Sequence, residues 1–376
     1  MKKDQQHTNV PHLRFPEFSG EWKEEQLESI AILSKGIGIS KEQLSENGEQ
    51  CILYGELYTK YKSEIIKQVE SKTDIDSSKL KRSKANDVII PCSGETAVDI
   101  ATARCVPFDN ILLGGDLNII SLHKYDGAFM SYQLNGKRKC DIAKVAQGVS
   151  VVHLYGEHLK TIKTYNPTLP EQQKIAKLLS LIDERIATQN KIIEKLESLI
   201  RGLCLKLVSQ GIPNTALNTC LECHSSILQE RSITTNGKYP VYGAAGICGY
   251  SDTPEASGDS ILIIKDGASV GATFYVSGKY SAIGTLNRLT ARPGCSLRYL
   301  YYCLKIFDFS QYKTGQAIPH IYFRDYGIAK IWCPSLAQQE HIAGILTSID
   351  IKIQMERSLL ERLTIQKRFL LQKMFI

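Results

Sequence analysis

NPTLPEQQKIAKLLSLID (166–183) and CPSLAQQEHIAGILTSID (333–350) occur in one chain, each position of the second lying 167 residues after its partner. The likeness extends both ways at the same offset. Upstream, Gly148, His153, Tyr155 and Lys163 match Gly315, His320, Tyr322 and Lys330. Downstream, Ile186, Glu194, Leu196, Arg201 and Leu203 match Ile353, Glu361, Leu363, Arg368 and Leu370. Farther upstream gaps enter, with Leu117-Asn118 facing Leu286-Asn287 and Tyr54-Gly55 facing Tyr242-Gly243. Internal self-similarity decides the architecture before any single element does. The chain divides into two half-chains, each a variable globular part followed by a similar helix.

The helices are set by their period. In the first copy Ile175, Leu179, Ile182, Ile186, Gln189, Ile193, Leu196, Ile200, Leu203 and Leu207 keep a strict four-three spacing. In the second copy Ile342, Leu346, Ile349, Ile353, Glu356, Leu360, Leu363, Lys367, Leu370 and Met374 do the same. Such a/d seams predict coiled-coil helices, and the polar residues at matching places, Gln189 and Glu356, suit a register-fixing role. Pro170 fits a helix start, and Gly211 with Pro213 a helix end.

The 376 residues allow two or three domains, and 43% apolar with 23% charged residues is ordinary globular composition. No run of 18 apolar residues and no apolar signal core is present, so a cytoplasmic chain without a membrane span is expected. Eleven cysteines without framework spacing argue against a disulfide scaffold. Cys220, Cys223 and His224 form CxxCH, but no second ligand pair follows, so no metal, haem or other cofactor is expected. The net charge of +7 is only a mild pointer to an anionic partner.

The globular parts read as mixed α/β with short strands. DVIIPCSG (87–94) and DSILIIKDG (259–267) are buried-strand patterns, NGKYPVYGAAGICGYSD (236–252) suits tight turns, and SLRYLYYCLKIFDFS (296–310) has helical spacing.

VPHLRFPEFSGEW (10–22), followed by the duplicated P-x-L-x-x-Q-x-x-I-A-x-x-L-x-x-I-D pattern, resembles the DNA-specificity subunit of type I restriction–modification systems. The G-x-A-x-P segment of that family appears as Gly315-Gln316-Ala317-Ile318-Pro319. The first half, Gly148-Val149-Ser150-Val151-Val152, lacks the proline, and TALNTCLECHSS (215–226) stands where the second half should repeat LRFPEF. The resemblance implies two target-recognition domains, one per half of a split asymmetric DNA sequence. It also implies two long helices that separate them and dock two copies of a methyltransferase subunit, with room for restriction subunits. Antiparallel helices are expected, because two copies of one partner acting on opposite strands call for twofold symmetry that a duplicated chain mimics only when inverted. The expected division is 1–165 and 212–332 for the recognition domains, with 166–211 and 333–376 for the helix regions.

Chemistry of its own is not expected. Asn166-Pro167-Thr168-Leu169 begins like an adenine-methylase motif but lacks its second proline and aromatic. There is no phosphate-binding G-x-x-x-x-G-K-(S/T) loop, and the glycines of 243–249 do not make a dinucleotide fingerprint. For double-stranded DNA the candidate contacts are Lys60, Lys62, Lys79, Lys81, Arg82, Lys84, Lys137, Arg138 and Lys139 in the first half. In the second half they are Lys265, Arg288, Arg292, Lys313 and Arg324. Tyr54 and Tyr242 suit core packing better than DNA contact, and the recurring His153 and His320 suit a structural role. A stand-alone nucleic-acid enzyme and a coiled-coil scaffold without DNA specificity are the alternative readings.

Overall fold

The computed structural model describes residues 9–148, 150–226, 228–229 and 233–376; Val149 and the polar N-terminal residues 1–8 lie outside the described residues. The chain forms two compact units, Met1–Gln189 with Leu359–Ile376, and Asn190–Ser358. Each unit therefore contains one globular part plus a share of both long helices, Leu169–Val208 and Leu336–Lys373.

In the first unit a four-stranded antiparallel sheet runs in the order Ala31–Lys35, Leu117–Leu122, Asp87–Pro91, Arg104–Val106. Its centre is covered on both faces. Val88 and Ile90 pack with Leu27, Met130 and Leu134, whereas Ile89 and Ile119 pack with Ile52, Leu57 and Ile66. A strand buried on both faces needs a continuous apolar run, which is why DVIIP does not alternate. A second, five-stranded sheet and the antiparallel pair Lys23–Gln26 with Lys163–Asn166 complete the unit.

The second unit repeats the plan. Leu221–Ser225, Leu286–Ala291, Ser260–Ile264 and Thr273–Val276 form its sheet in the same order, and Thr215–Ala216 pairs with Lys330–Ile331. Ile261 and Ile263 face one core, Leu262 and Ile264 another. Leu27 N donates to Ile162 O at 3.0 Å, and Leu217 N to Ala329 O at 3.0 Å. Residues 215–225 thus hold the structural place of 25–35, so the second unit starts without an LRFPEF segment.

Within each unit the long helices run antiparallel, because higher numbers on the first meet lower numbers on the second. In the first unit Ile175, Leu179 and Ile182 share a core with Leu370 and Met374. In the second, Ile200, Cys204 and Val208 share one with Ile353, Leu346 and Ile342. Every residue of the two seams, Gln189 and Glu356 included, is buried or half-buried.

The duplicated motif is explained by what its polar residues touch. Gln172 is 1% exposed; its Nε2 donates to Pro167 O at 2.8 Å and its Oε1 accepts from Asp126 N at 2.9 Å. Asp126 caps the helix Gly127–Asn135 by accepting from Phe129 N. Gln339 makes the same two bonds, to Pro334 O at 2.8 Å and from Ser296 N at 2.9 Å, and Ser296 caps Leu297–Ile306. Farther along, Tyr132 Oη donates to Asp183 at 2.7 Å and Tyr302 Oη to Asp350 at 2.8 Å. The repeated Gln and Asp thus lock each long helix to the capped helix of its own unit. Gln172→Ala or Gln339→Ala strands buried or half-buried backbone partners and is expected to cost about 1–3 kcal/mol. Denaturant unfolding of the full chain checks this; a loss under about 0.5 kcal/mol contradicts it.

One difference between the copies has a partner. Arg14, from the LRFPEF segment, grips the buried Glu171 with Nε at 2.7 Å and Nη2 at 2.8 Å, and Trp22 Nε1 adds a bond at 3.3 Å. The second unit has no such segment, and there Gln338 replaces the carboxylate and is exposed. The repeated glycines are backbone devices. Gly148 has φ +123° and Gly315 φ +86°, and a Cβ would collide with Val151 O and Ile318 O, respectively. Paired backbone bonds close each loop, Gln147 with His153 and Thr314 with His320.

Candidate nucleic-acid interface

In each unit the glycine–histidine loop lies beside the outgoing end of a central strand. In the first unit, Val152 and His153 pair with Gly94 and Ser93. A hollow of about 700 Å³ opens there, lined by Tyr54, Tyr58, Ser93, Glu95 and Ser150 among others. Tyr58 Oη donates to Ser93 O at 3.0 Å, and Lys62 Nζ to Tyr58 O at 3.2 Å. Lys60 lines a neighbouring hollow with Tyr54, its Nζ held by Glu56 at 3.1 Å and Ser71 Oγ at 2.7 Å. Tyr54 is 39% exposed, so it is no core residue. Tyr242, its sequence match, packs edge-on against the buried Tyr280 at 5.9 Å.

In the second unit Asp266 bridges His320, with Nδ1 2.6 Å from Asp266 Oδ1. Lys265 precedes that aspartate and accepts at its carbonyl from Ile321 N, while Lys313 opens the loop. Arg324 stacks over Tyr322 at 4.9 Å and pairs with Asp325 at 3.3 Å. His153 has no carboxylate in the corresponding place; it stacks with Tyr155 at 6.2 Å.

The other basic candidates are scattered. Lys79, Lys81, Lys84, Lys137, Lys139 and Arg288 make no side-chain hydrogen bond or ion pair among the described residues, nor do Lys265 and Lys313. Arg82 pairs with Glu49 at 2.6 Å; with Ser77 it holds that carboxyl at a pKa of about 2. Arg138 donates to Ile376 O at 2.9 Å, pairs with Asp141 at 3.3 Å and covers the Tyr165 ring at 5.3 Å. Arg292 Nε lies 3.3 Å from both Asn218 O and Leu221 O. These three guanidinium groups are engaged within the fold. Sequence reasoning passed over Tyr58, Ser93, Ser150 and Asp266, because nothing in their local pattern marks the strand end on which they converge. Cys223 and His224 lie on one sheet strand, where His224 Nε2 is 3.1 Å from Thr290 Oγ1. Among the described residues no helix is long and apolar enough to cross a membrane.

Two mixed α/β units of one strand order, each with a share of two long helices, make this an internally duplicated chain. The family described as the type I restriction modification DNA specificity domain matches residues 19–198 and again 221–364, and the chain belongs to that family. It is 28% identical over 112 residues to the type I restriction enzyme EcoprrI specificity subunit of Escherichia coli, covering 30% of this chain and 28% of that one. It is 29% identical over 128 residues to the MjaVIII specificity subunit of Methanocaldococcus jannaschii, covering 34% and 29%. These matches span less than a third of either relative. The type I restriction–modification S subunit from M. genitalium shares the fold over 98% of this chain and 99% of its own, with a TM-score of 0.72 at 21% identity. A structure reported for complex assembly and conformational transition of a type I system gives a TM-score of 0.55 at 15% identity, covering 97% and 99%.

Proposed function

We propose that this chain is the DNA sequence-specificity subunit of a type I restriction–modification complex, reading a bipartite asymmetric target with one half-site per recognition domain. The observation that carries this is the double match to the specificity-domain family, one copy falling mainly in each unit, with like frames and unlike loops. The recognition parts are 1–165 and 212–332; the helix regions 166–211 and 333–376 dock two methyltransferase subunits and, in a restricting complex, the restriction subunits. The chain works in the cytoplasm and is not itself an enzyme, the methyl transfer and cleavage being done by its partners.

Lys60, Lys62, Lys265, Lys313 and Arg324 are the DNA contacts best supported, because Lys60 and Lys62 border the Tyr54–Tyr58 wall of the first hollow and the other three lie in or beside the second glycine–histidine loop. Arg82, Arg138 and Arg292 are weaker candidates, because they lie away from these loops and their guanidinium groups already hold Glu49, Ile376 O and the Asn218 and Leu221 carbonyls. Changing Lys265 and Lys313 together to Gln should lower the salt slope of binding by about 0.9 per lost phosphate contact, on specific and unrelated DNA alike. An unchanged slope in the assembled complex contradicts the assignment. The function is tested by assembling the purified chain with its modification partner and S-adenosylmethionine. Methylation of one split sequence by the complex, with none by the chain alone, is expected; turnover by the isolated chain overturns it.

A further inference from the structure

The long-helix start of the second unit carries a feature absent from the first. Cys220, Cys295 and Cys333 place their three sulfurs within 4.8 Å of one another, with Cys220 Sγ 3.9 Å from Cys333 Sγ. They come from three separate elements: the end of Leu217–Cys220, the residue before the Ser296 cap, and the residue before Pro334 at the start of the duplicated motif. We infer that these three thiols form a site for one zinc(II) ion, with solvent as fourth ligand. The cation would replace the three thiol protons, which pass to solvent.

The spacing fits. Zinc–thiolate bonds of about 2.3 Å in a tetrahedron put neighbouring sulfurs about 3.8 Å apart. The surroundings are already fixed. Cys333 N donates to Asn214 Oδ1 at 2.8 Å, and Asn214 Nδ2 donates back to Cys333 O at 3.1 Å. Gln339 Nε2 lies 3.3 Å from Cys333 Sγ, an outer-shell donor of the kind that orients and stabilises a metal thiolate. Arg292 N donates to Cys220 O at 2.8 Å.

The first unit supplies an internal control. Tyr125, the residue before its own cap, corresponds to Cys295, and Asn166 to Cys333. There, Tyr125 Oη and Asn166 Nδ2 both donate to Glu25, at 2.8 and 3.2 Å. The place of Glu25 is taken by Thr215 in the second unit, and that of Ile30 by Cys220. A carboxylate-centred tie in one copy is replaced by three thiols in the other. A cation among them would restore the tie between the cap and the helix start.

The full-length chain, kept reduced and stripped of metal by a chelator, is titrated with cobalt(II) and then zinc(II). One equivalent of cobalt should give strong sulfur-to-metal charge-transfer absorption, which zinc abolishes by displacement. Cys295→Ser and Cys333→Asn, the latter carrying the residue used in the first unit, should lose the absorption. Cys140→Ser, at an exposed thiol, should keep it. On the unaltered chain, zinc should protect Cys220, Cys295 and Cys333 from alkylation while Cys140 and Cys248 still react. Absence of the absorption, its persistence in both ligand variants, or unprotected thiols overturns the inference, as does a Cys220–Cys333 disulfide in the reduced preparation.

Discussion

Lys367→Met is expected to cost the first unit about 3–5 kcal/mol, the usual penalty for stranding buried charges. Lys367 occupies a seam position of the second long helix, yet its side chain is 16% exposed. Its Nζ lies 2.5 Å from Glu64 and 2.7 Å from Asp183, carboxylates that are themselves buried. Tyr132 donates to the other oxygen of Asp183, and the nearby Arg104 spends its guanidinium on the carbonyls of Tyr61, Ala103 and Leu57. Methionine fills the volume but leaves both carboxylates without an ion-pair partner, with only the field of the nearby Arg104 acting on them. Against a usual total of about 5–15 kcal/mol, the loss is large. The thermal midpoint of the first unit should fall by about 10 °C. Adding Glu64→Gln and Asp183→Asn should recover most of it; a single variant within about 0.5 kcal/mol of the parent contradicts the account.

The same cluster has a pH signature. Burial pulls the Lys367 ammonium down, but Glu64 and Asp183 offset this and hold its pKa above the ordinary value. A group raised on folding stabilises fully below its unfolded pKa of about 10.4, and that contribution fades as pH rises through the folded value. The parent should therefore lose stability at alkaline pH by a component that the Lys367→Met, Glu64→Gln, Asp183→Asn variant lacks.

The second large effect concerns partner docking. The buried residues of the duplicated motif are used inside each unit, so on the proposed function docking would fall to exposed positions. On the long helices two exposed apolar pairs recur at the 167-residue offset: Leu169 with Leu336, and Ile192 with Leu359, the latter 37% and 44% exposed. Equivalent apolar sites are what two copies of one partner require. Ile192→Glu or Leu359→Glu should each cost about 2 kcal/mol or more of modification-subunit binding, roughly thirtyfold in affinity. Unfolding should stay unchanged, because both side chains face solvent. Calorimetric titration with the modification subunit measures this, and affinities within a factor of about two of the parent contradict the assignment.

The long helices were legible in the sequence because a period survives whatever the helix packs against. The sheet centres were legible for a similar reason, since a strand covered on both faces must be apolar throughout. The role of Lys367 in its seam was not legible, because Glu64 stands 303 residues away. Gln172 and Asp183 were visible as repeated letters, but their meaning rests on Asp126 and Tyr132 of a separate helix. The three thiols share no local spacing; Cys220 and Cys333 are 113 residues apart. The candidate DNA contacts were the least legible. Lysine and arginine look alike in sequence whether they face solvent, as Lys84 does, or bind the chain's own end, as Arg138 does.

The central claim is that each half of the chain reads its own half-site. Residues 212–332 are exchanged for the corresponding part of another family member, and the chain is expressed with its modification partner. Single-molecule sequencing then reads the methylated motifs. The account predicts a bipartite motif in which one half is new while the other half is kept. A change in both halves, a motif without two parts, or an unchanged motif would contradict it.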